Sequence, residues 1–265
     1  MLTGVLGYPV AHSRSPAMQN AAFEALGMAP DWRYLALPVP GDLFDETVRA
    51  LPGSGYRGAN VTIPHKLLAL AIADDASDAA RGAGAANTLT FAGDGSIHAD
   101  NTDVGGLLDA IGEAPGSALV LGAGGAARAV IWTLREAGAD VAIWNRTAER
   151  AAALAAELDV RAAATVEPER FEAVINTTSV GLDTTLSDES ALAALGLEDR
   201  AAPSLVVDLV YRGGGAPTPL QHWANQANAR FVDGLEVLVR QGARSFEIWT
   251  GKEPPLDVMR EAARV

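Results

Sequence analysis

The sequence of 265 residues contains no cysteine. This absence excludes disulfide bonds, thiol nucleophiles and cysteine-ligated metal sites, and it suits a reducing compartment. Histidine is also scarce, and its four positions have no spacing typical of a metal site: His12, His65, His98 and His222. We therefore expect no bound metal.

The chain is short of positive charge as well. It has 20 Lys and Arg against 33 Asp and Glu, a formal net charge of −13. Because nucleic acids and anionic membranes are bound through clustered Lys and Arg, neither partner is expected. No apolar run reaches the length that spans a bilayer, and the N-terminus lacks the basic start of a signal peptide. The sequence predicts a cytoplasmic protein, either a monomer or a homodimer.

Strand-like and helix-like segments alternate along the whole chain, which predicts an α/β fold. We place one domain at residues 1–104 and a second at 105–232, and we expect the helices of 233–265 to return to the first. One helix is predicted to begin at Pro16 with Ser15 as its N-cap. Asp103 is predicted to cap another helix that begins near Val104.

The segment VLGAGGAARA, residues 120–129, contains G-x-G-x-x-A between an apolar strand and a helix. Gly122 permits the tight turn, and Gly124 lets the backbone approach a pyrophosphate at the positive end of the helix. A tight turn that binds no ligand can contain the same glycines, but their position between an apolar strand and a helix favours dinucleotide binding. The loop consists of Gly122, Ala123, Gly124, Gly125 and Ala126.

The next strand indicates which dinucleotide is bound. An NAD site usually has Asp or Glu about 20 residues after the first glycine, to accept a hydrogen bond from the ribose. Here Asn145 lies 23 positions after Gly122, and it is followed by Arg146, Thr147 and Arg150. A guanidinium cannot accept that bond but pairs well with a 2′-phosphate. The segment therefore favours NADP, although both arginines could also be ordinary surface charges.

Lys66 is distinctive because the chain has two lysines, Lys66 and Lys252, and eighteen arginines. A position that needed only positive charge would be expected to carry arginine in this chain. Lysine supplies a compact ammonium that can exchange a proton, which a guanidinium effectively cannot. The polar residues of NVTIPHK, GAANT and ADNTDVGG could bind a polyhydroxylated ligand through neutral hydrogen bonds.

Seven segments, in this order, resemble the shikimate dehydrogenase family: GYPVAHSRSP, NVTIPHK, GAANT, DNTD, GAGGAARA, NRT and GLEVLVRQG. The resemblance implies an N-terminal α/β substrate-binding domain and a Rossmann-type NADP-binding domain, with the active site in the cleft between them. It also implies an NADP-dependent oxidoreductase that acts on a CH–OH group. The implied reaction is the reversible reduction of 3-dehydroshikimate to shikimate, in the biosynthesis of chorismate and the aromatic amino acids.

The resemblance also implies roles for individual residues. Lys66 and Asp103 would form the catalytic pair, and Ser13 and Ser15 would bind the substrate carboxylate. The other substrate contacts would come from Asn60, Thr62, Asn87, Asp103, Tyr211 and Gln241. The cofactor would be bound by the loop from Gly122 to Ala126 and by Asn145, Arg146, Thr147 and Arg150, with Leu209, Gly234 and Asp78 near the nicotinamide.

Three alternatives stay open. A quinate/shikimate dehydrogenase that uses NAD, or both cofactors, would share the fold, although a serine at position 13 favours shikimate. A methylene-tetrahydrofolate dehydrogenase also pairs a lysine with a dinucleotide domain, but it offers no role for HSRSP. An NADP-binding sensor without activity is the alternative from another class, and Lys66 and Asp103 argue against it.

Overall fold

The computed structural model describes residues 1–264. The chain divides into two compact units. The first comprises Met1–Gly106 and the segment that begins at Leu238, and the second comprises Leu107–Val237. Each unit is built around its own six-stranded sheet. None of the described helices is both long and apolar enough to cross a membrane.

The first unit has a mixed sheet. Its elements, in chain order, are β1 (Leu2–Gly7), α1 (Ser15–Ala25), β2 (Arg33–Pro38), α2 (Phe44–Ala50), β3 (Tyr56–Val61), α3 (Lys66–Ala71), β4 (Asp75–Ala76), α4 (Asp78–Ala83), β5 (Thr88–Phe91), β6 (Ile97–Asp100) and the start of α5 (Thr102–Ile111). The strands lie in the order β2-β1-β3-β5-β6-β4. β1 pairs in parallel with β2 and β3, whereas β5 is antiparallel to both β3 and β6.

The second unit has a parallel sheet. Its elements are β7 (Ser117–Leu121), α6 (Gly125–Glu136), β8 (Asp140–Trp144), α7 (Ala148–Leu158), β9 (Arg161–Ala162), β10 (Ala173–Asn176), α8 (Asp188–Ala194), β11 (Leu205–Asp208), α9 (Pro219–Gln226), β12 (Arg230–Val232) and the start of α10 (Gly234–Thr250). The order is β12-β11-β10-β7-β8-β9. The order reverses between β7 and β10, and ligands of such sheets bind at the carboxyl ends of the strands at this point.

The chain then continues through α10 into α11 (Leu256–Arg264), which packs against α1 in the first unit. Apolar side chains that lie on the sheet of this unit form one core, which includes Leu6, Phe44, Val48, Leu89 and Phe91. Parallel strands are covered on both faces and are therefore almost wholly apolar, as β7 and β11 show in the second unit.

The structure corrects both predicted helix caps. Ser15 is the first residue of α1 and not its N-cap; Arg14 occupies that position with φ −84° and ψ −9°. An N-cap residue usually has an extended backbone, from which its side chain accepts a hydrogen bond from the first turn of the helix. Arg14 has a near-helical backbone and makes no such bond. Instead, Oγ of Ser13 accepts from the N–H of Ser15 (3.3 Å). Asp103 lies inside the first turn of α5, because that helix already begins at Thr102.

Several short elements have no counterpart in the sequence prediction: β4, α4, β9, α8 and α9. A strand of two residues has no alternation to detect, and α4 and α8 span less than two turns of apolar periodicity. Ser77, Ser187 and Thr218 nevertheless mark the beginnings of α4, α8 and α9, since each side chain accepts a hydrogen bond from a backbone N–H of its helix.

Candidate active site

Lys66, Asp103 and Asn87 form a connected trio in the first unit. Lys66 begins α3, Asp103 lies in the first turn of α5, and Asn87 directly precedes β5. Nζ of Lys66 lies 2.6 Å from Oδ2 of Asp103, and Nδ2 of Asn87 donates to Oδ1 (2.8 Å). The side chains of the ion pair are 12% and 20% exposed. This arrangement can exchange a proton with a bound ligand while neighbouring groups hold the carboxylate in place.

The amide of Asn87 has one orientation only. Its Oδ1 accepts from the backbone N–H of Thr102 (2.8 Å) and from Oγ1 of Thr88 (2.9 Å). Because a backbone N–H can only donate, the oxygen must face Thr102, and Nδ2 is left to face Asp103 and Oε1 of Gln241 (3.2 Å). The local fold therefore determines which group of Asn87 meets the carboxylate of Asp103.

His65 anchors the start of α3. Its ring is buried and stacks on Phe44 with the centroids 4.5 Å apart. Nε2 lies 2.6 Å from the carbonyl oxygen of Val39, which can only accept, so this nitrogen is the donor. The side chain before Lys66 is therefore part of the core, while Lys66 itself keeps 12% of its side chain exposed.

Asn60 is held by groups that surround it on all sides. Oη of Tyr34 donates to its Oδ1 (2.7 Å). Nδ2 of Asn60 lies within hydrogen-bonding distance of three acceptors: the carbonyl oxygen of Asn87 (3.2 Å), Oγ1 of Thr88 (3.0 Å) and Oγ of Ser245 (2.8 Å). An amide nitrogen has two protons, and these three acceptors take up both of them. Nδ2 therefore has no proton left for a ligand, and Asn60 can only accept a hydrogen bond from it, through Oδ1.

Gln241 and Ser245 stand one turn apart on α10 and join the same network. Oγ of Ser245 lies 3.1 Å from Oγ1 of Thr102, and it also bonds the carbonyl oxygen of Gln241 (3.1 Å). Nε2 of Gln241 donates to the carbonyl oxygen of Leu238 (2.9 Å), which turns Oε1 toward Asn87. Both residues are buried.

The remaining predicted substrate residues are placed as follows. Ser15 is buried and Ser13 is half-buried, at the start of α1. Thr62 follows β3, and its methyl group would lie 2.4 Å from a Cβ at position 7, so only glycine fits there. Tyr211, by contrast, belongs to the second unit, after β11.

The glycine loop of the second unit has the space that a phosphate needs. Gly122 has φ +113°, and a Cβ there would lie 2.5 Å from Oγ1 of Thr177. Gly124 is the N-cap of α6 and provides no side-chain bond, and a Cβ at Gly124 would meet no atom within 4 Å. The first N–H groups of α6 are thus open to an anion, and Gly122, Ala123, Gly124, Gly125 and Ala126 fit a dinucleotide pyrophosphate.

The loop after β8 carries the residues predicted to select the cofactor. Nδ2 of Asn145 donates to the carbonyl oxygen of Thr147 (3.0 Å), which shapes the loop before α7. Arg146 and Arg150 are exposed, and neither forms an ion pair within residues 1–264. Two unpaired guanidinium groups beside a helix start fit an additional phosphate.

Leu209 and Gly234 lie near the carboxyl end of β11 in the second unit, and Asp78 belongs to the first unit. A Cβ at Gly234 would lie 2.7 Å from the carbonyl oxygen of Val210 and 2.8 Å from that of Asp208, so the backbone passes closely here. Leu209 is half-buried. Asp78 begins α4 in the first unit and is exposed there.

Family models match three successive segments. They describe a shikimate dehydrogenase substrate binding domain (residues 5–89), a shikimate/quinate 5-dehydrogenase (112–211) and a shikimate 5′-dehydrogenase C-terminal domain (234–264). The NADP(+) shikimate dehydrogenase of Methanocella arvoryzae is 43% identical over 276 residues, which cover 98% of this chain and 97% of that protein. The chain belongs to the shikimate dehydrogenase family.

Solved structures of this family have the same fold. The shikimate 5-dehydrogenase of Thermus thermophilus, in complex with NADP(H) and shikimate, is 39% identical with a TM-score of 0.86, over 100% of this chain and 98% of that one. The enzyme of Listeria monocytogenes, in complex with shikimate and NAD, is 29% identical with a TM-score of 0.82, over 98% and 95% of the two chains. These findings confirm the resemblance and the α/β fold that the sequence predicts.

Three buried polar residues near the candidate sites are missing from the sequence prediction: Tyr34, Ser245 and Asp208. Asp208 ends β11, and its carboxylate accepts from Nδ2 of Asn176 (2.9 Å), Oγ1 of Thr218 (2.7 Å) and the N–H of Val210 (3.1 Å). Burial raises the pKa of Asp208 to about 6, and repulsion from Asp233 contributes in the same direction. The sequence feature that could have revealed Asp208 is a carboxylate at the end of the apolar run SLVVD.

Proposed function

We propose that this protein catalyses the reversible NADPH-dependent reduction of 3-dehydroshikimate to shikimate, in the biosynthesis of chorismate and the aromatic amino acids. The observation that carries the proposal is the trio in which the carboxylate of Asp103 accepts hydrogen bonds from both the ammonium of Lys66 and the amide of Asn87. Such a trio presents a proton donor and a fixed carboxylate to one alcohol or carbonyl group. Family membership supports the same reaction.

The first unit would bind the substrate. Ser13 and Ser15 would donate to the carboxylate at the start of α1, where the helix dipole also favours a negative charge. Oδ1 of Asn60 would accept from a ring hydroxyl, since its Nδ2 is committed elsewhere. The other hydroxyl contacts would come from Thr62, Asn87, Asp103 and Gln241, with Tyr211 as a further contact from the second unit.

Lys66 would move the proton. In the direction of reduction Nζ gives a proton to the carbonyl oxygen of the substrate as that oxygen becomes a hydroxyl, and in oxidation it takes the proton back. Asp103 would bond the reacting hydroxyl and orient the ammonium. When NADPH is bound, its nicotinamide supplies the hydride.

The second unit would bind NADP. Gly122, Ala123, Gly124, Gly125 and Ala126 would hold the pyrophosphate at the start of α6. Asn145, Arg146, Thr147 and Arg150 would bind the adenosine with its 2′-phosphate. Leu209 and Gly234 would line the nicotinamide, with Asp78 as a neighbour.

Side activities on quinate or with NAD form the second candidate. In its favour, the relative from Listeria monocytogenes has been crystallised with shikimate and NAD. Against it, Arg146 and Arg150 are free to pair with a 2′-phosphate, and no acidic residue follows β8 at the position of a ribose acceptor.

The test is an absorbance assay at the nicotinamide band with shikimate or quinate, each with NADP⁺ or NAD⁺. The proposal expects the highest kcat/KM for shikimate with NADP⁺. A higher value with quinate or NAD⁺ would support the second candidate instead. Binding of NADPH without any turnover of either acid would support a sensor. We also propose a cytoplasmic monomer or homodimer, and light scattering would distinguish the two.

A further inference from the structure

The loop between β11 and α9, residues 209–218, carries two residues that the proposed function uses. Leu209 is assigned to the nicotinamide and Tyr211 to the substrate, so the inference rests on the proposed function. The same loop contains three successive glycines, Gly213–Gly215, in one short 3₁₀ turn. Glycine has more backbone freedom than any other residue, so the loop has little stiffness of its own. Contacts with other groups must therefore keep Leu209 and Tyr211 in place.

Both ends of the loop are fixed by one buried carboxylate, that of Asp208. Oδ1 accepts from the backbone N–H of Val210 (3.1 Å), and Oδ2 accepts from Oγ1 of Thr218 (2.7 Å). Nδ2 of Asn176, the last residue of β10, also donates to Oδ1 (2.9 Å). These bonds hold the ends of the loop at the carboxyl edge of the second sheet. The middle of the loop, residues 211–217, depends on a different side chain.

Arg212 holds this middle part with one guanidinium. Nη1 donates to the carbonyl oxygen of Pro217 (2.9 Å), on the far side of the glycines. Nε donates to the carbonyl oxygen of Gly181 (2.7 Å), in the loop that follows β10. A guanidinium is planar and its N–H directions are fixed, so two such bonds define its position closely. Arg212 therefore joins the two ends of the glycine turn to each other and to the neighbouring loop.

The loop that follows β10 gives Arg212 a well-held acceptor. Gly181 has φ +107°, and a Cβ there would lie 3.6 Å from Cγ1 of Val210, so the two loops pass close to each other. Asn176 ties this loop to the end of its own strand, since Nδ2 donates to the carbonyl oxygen of Val180 (3.2 Å). Oδ1 of Asn176 accepts from the N–H of Thr178 (3.0 Å). The carbonyl that receives Nε thus belongs to a segment with several contacts of its own.

We propose that Arg212 is a positioning residue, which keeps Leu209 and Tyr211 in the arrangement that turnover needs. Its guanidinium acts through two backbone carbonyls and has no ligand assigned to it. Without these bonds the glycines allow many conformations of residues 211–217. Only the fraction of molecules with the observed arrangement then binds its ligands productively, and the apparent affinity falls in proportion to that fraction.

The experiment compares Arg212→Met with the wild type. Because two bonds from a charged donor are lost, we expect kcat/KM for shikimate with NADP⁺ to fall about 10–100-fold. The Kd of adenosine 2′,5′-bisphosphate, a fragment of the cofactor without nicotinamide, should not change, since the residues assigned to that part lie outside the loop. Hydrogen exchange of the amides of 209–218 should become faster. Arg161→Met, at an exposed arginine of the same unit that pairs with Asp140, is the matched control and should change none of these values.

Two further variants separate ordering of the loop from a direct effect of charge. Arg212→Lys keeps the charge but cannot reproduce the fixed fork of donors, so it should stay impaired. Gly213→Ala, at an exposed position of the turn, lowers the freedom of the loop and should recover about two- to fivefold of the kcat/KM lost in Arg212→Met. Full activity of Arg212→Lys, no recovery by Gly213→Ala or unchanged hydrogen exchange in Arg212→Met would overturn the proposal. A weaker Kd of the cofactor fragment in Arg212→Met would do the same.

Failure of the proposed function would look different. If the wild-type protein neither bound nor oxidised shikimate, the assigned reaction would be wrong, while hydrogen exchange would still show whether Arg212 holds the loop. An active wild-type enzyme with an unchanged kcat/KM in Arg212→Met would leave the reaction intact and remove only the role of Arg212.

Discussion

Nζ of Lys66 lies 2.6 Å from Oδ2 of Asp103, although 37 positions separate the two residues in the chain. Each stands at the start of a helix, α3 for Lys66 and α5 for Asp103. The β5–β6 hairpin lies between these helices in the chain, and Asn87, directly before β5, bonds the other oxygen of the same carboxylate. The pair is therefore held by the fold, while the two side chains stay 12% and 20% exposed.

The first prediction concerns proton transfer by Lys66. Lys66→Ala should lower kcat by about 10²–10⁴-fold, the usual contribution of general acid–base catalysis, while the KM for shikimate changes little. Lys66→Arg should also be slow, since a guanidinium keeps the charge but does not exchange a proton. Lys252→Ala, at the exposed second lysine, is the control. Steady-state kinetics measure all three, and near-normal turnover by Lys66→Arg would contradict a proton-transfer role.

The second prediction concerns the serines at the start of α1. Ser13→Ala/Ser15→Ala should raise the KM for shikimate by more than tenfold, because two donors to the carboxylate are lost. Neither side chain caps the helix as an N-cap residue, so the cost in stability should stay below the roughly 0.5–2 kcal/mol of a lost cap. Thermal unfolding and kinetics together provide the test. A variant that melts early but keeps its KM would show that the serines are structural.

The third prediction concerns the choice of cofactor. Arg146→Ala/Arg150→Ala should raise the KM for NADP⁺ by about 10–100-fold, since a hydrogen bond to a charged group contributes about 1.5–3 kcal/mol. The KM for NAD⁺, which lacks the 2′-phosphate, should stay nearly constant. Arg170→Ala, at an exposed arginine of the same unit that pairs with Glu167, is the matched control. Equal losses for both cofactors would mean that the arginines do not bind the 2′-phosphate.

The sequence predicts residues whose type is unusual for its surroundings, and it misses those whose role depends on a distant partner. Lys66 is noticeable among arginines, and Gly122 and Gly124 follow a strand at a recognisable spacing. Tyr34, in contrast, is an ordinary strand aromatic until the fold brings Asn60 to its hydroxyl, 26 positions away in the chain. Ser245 is likewise an unremarkable helical serine until Asn60, 185 positions away, donates to it.

The sequence also fails to predict the exact residue at which a helix starts. Ser15 and Asp103 both have the residue type of an N-cap, and both lie within one or two residues of a helix start. Which residue becomes the cap depends on its backbone torsions, and these depend on how the preceding strand ends. In both cases the helix begins earlier than the apolar periodicity indicates.

The last prediction concerns Asp208 and the pH dependence of stability. Burial raises its pKa from 3.8 to about 6 in the folded protein, so between these values the folded state binds the proton more strongly than the unfolded chain does. The stabilising contribution is therefore present below pH 4 and is lost as the pH rises through about 6. The difference between the two values corresponds to about 3 kcal/mol.

Asp208→Asn isolates this effect, because an asparagine does not titrate. The exposed Asp75, Asp94 and Asp183 have lowered pKa values and act in the opposite direction, but they are common to both proteins. We expect the stability of the wild type relative to the variant to fall by up to about 3 kcal/mol between pH 4 and 7. Urea unfolding across this range measures it. Parallel stability curves would show that the Asp208 carboxyl ionises normally despite its burial.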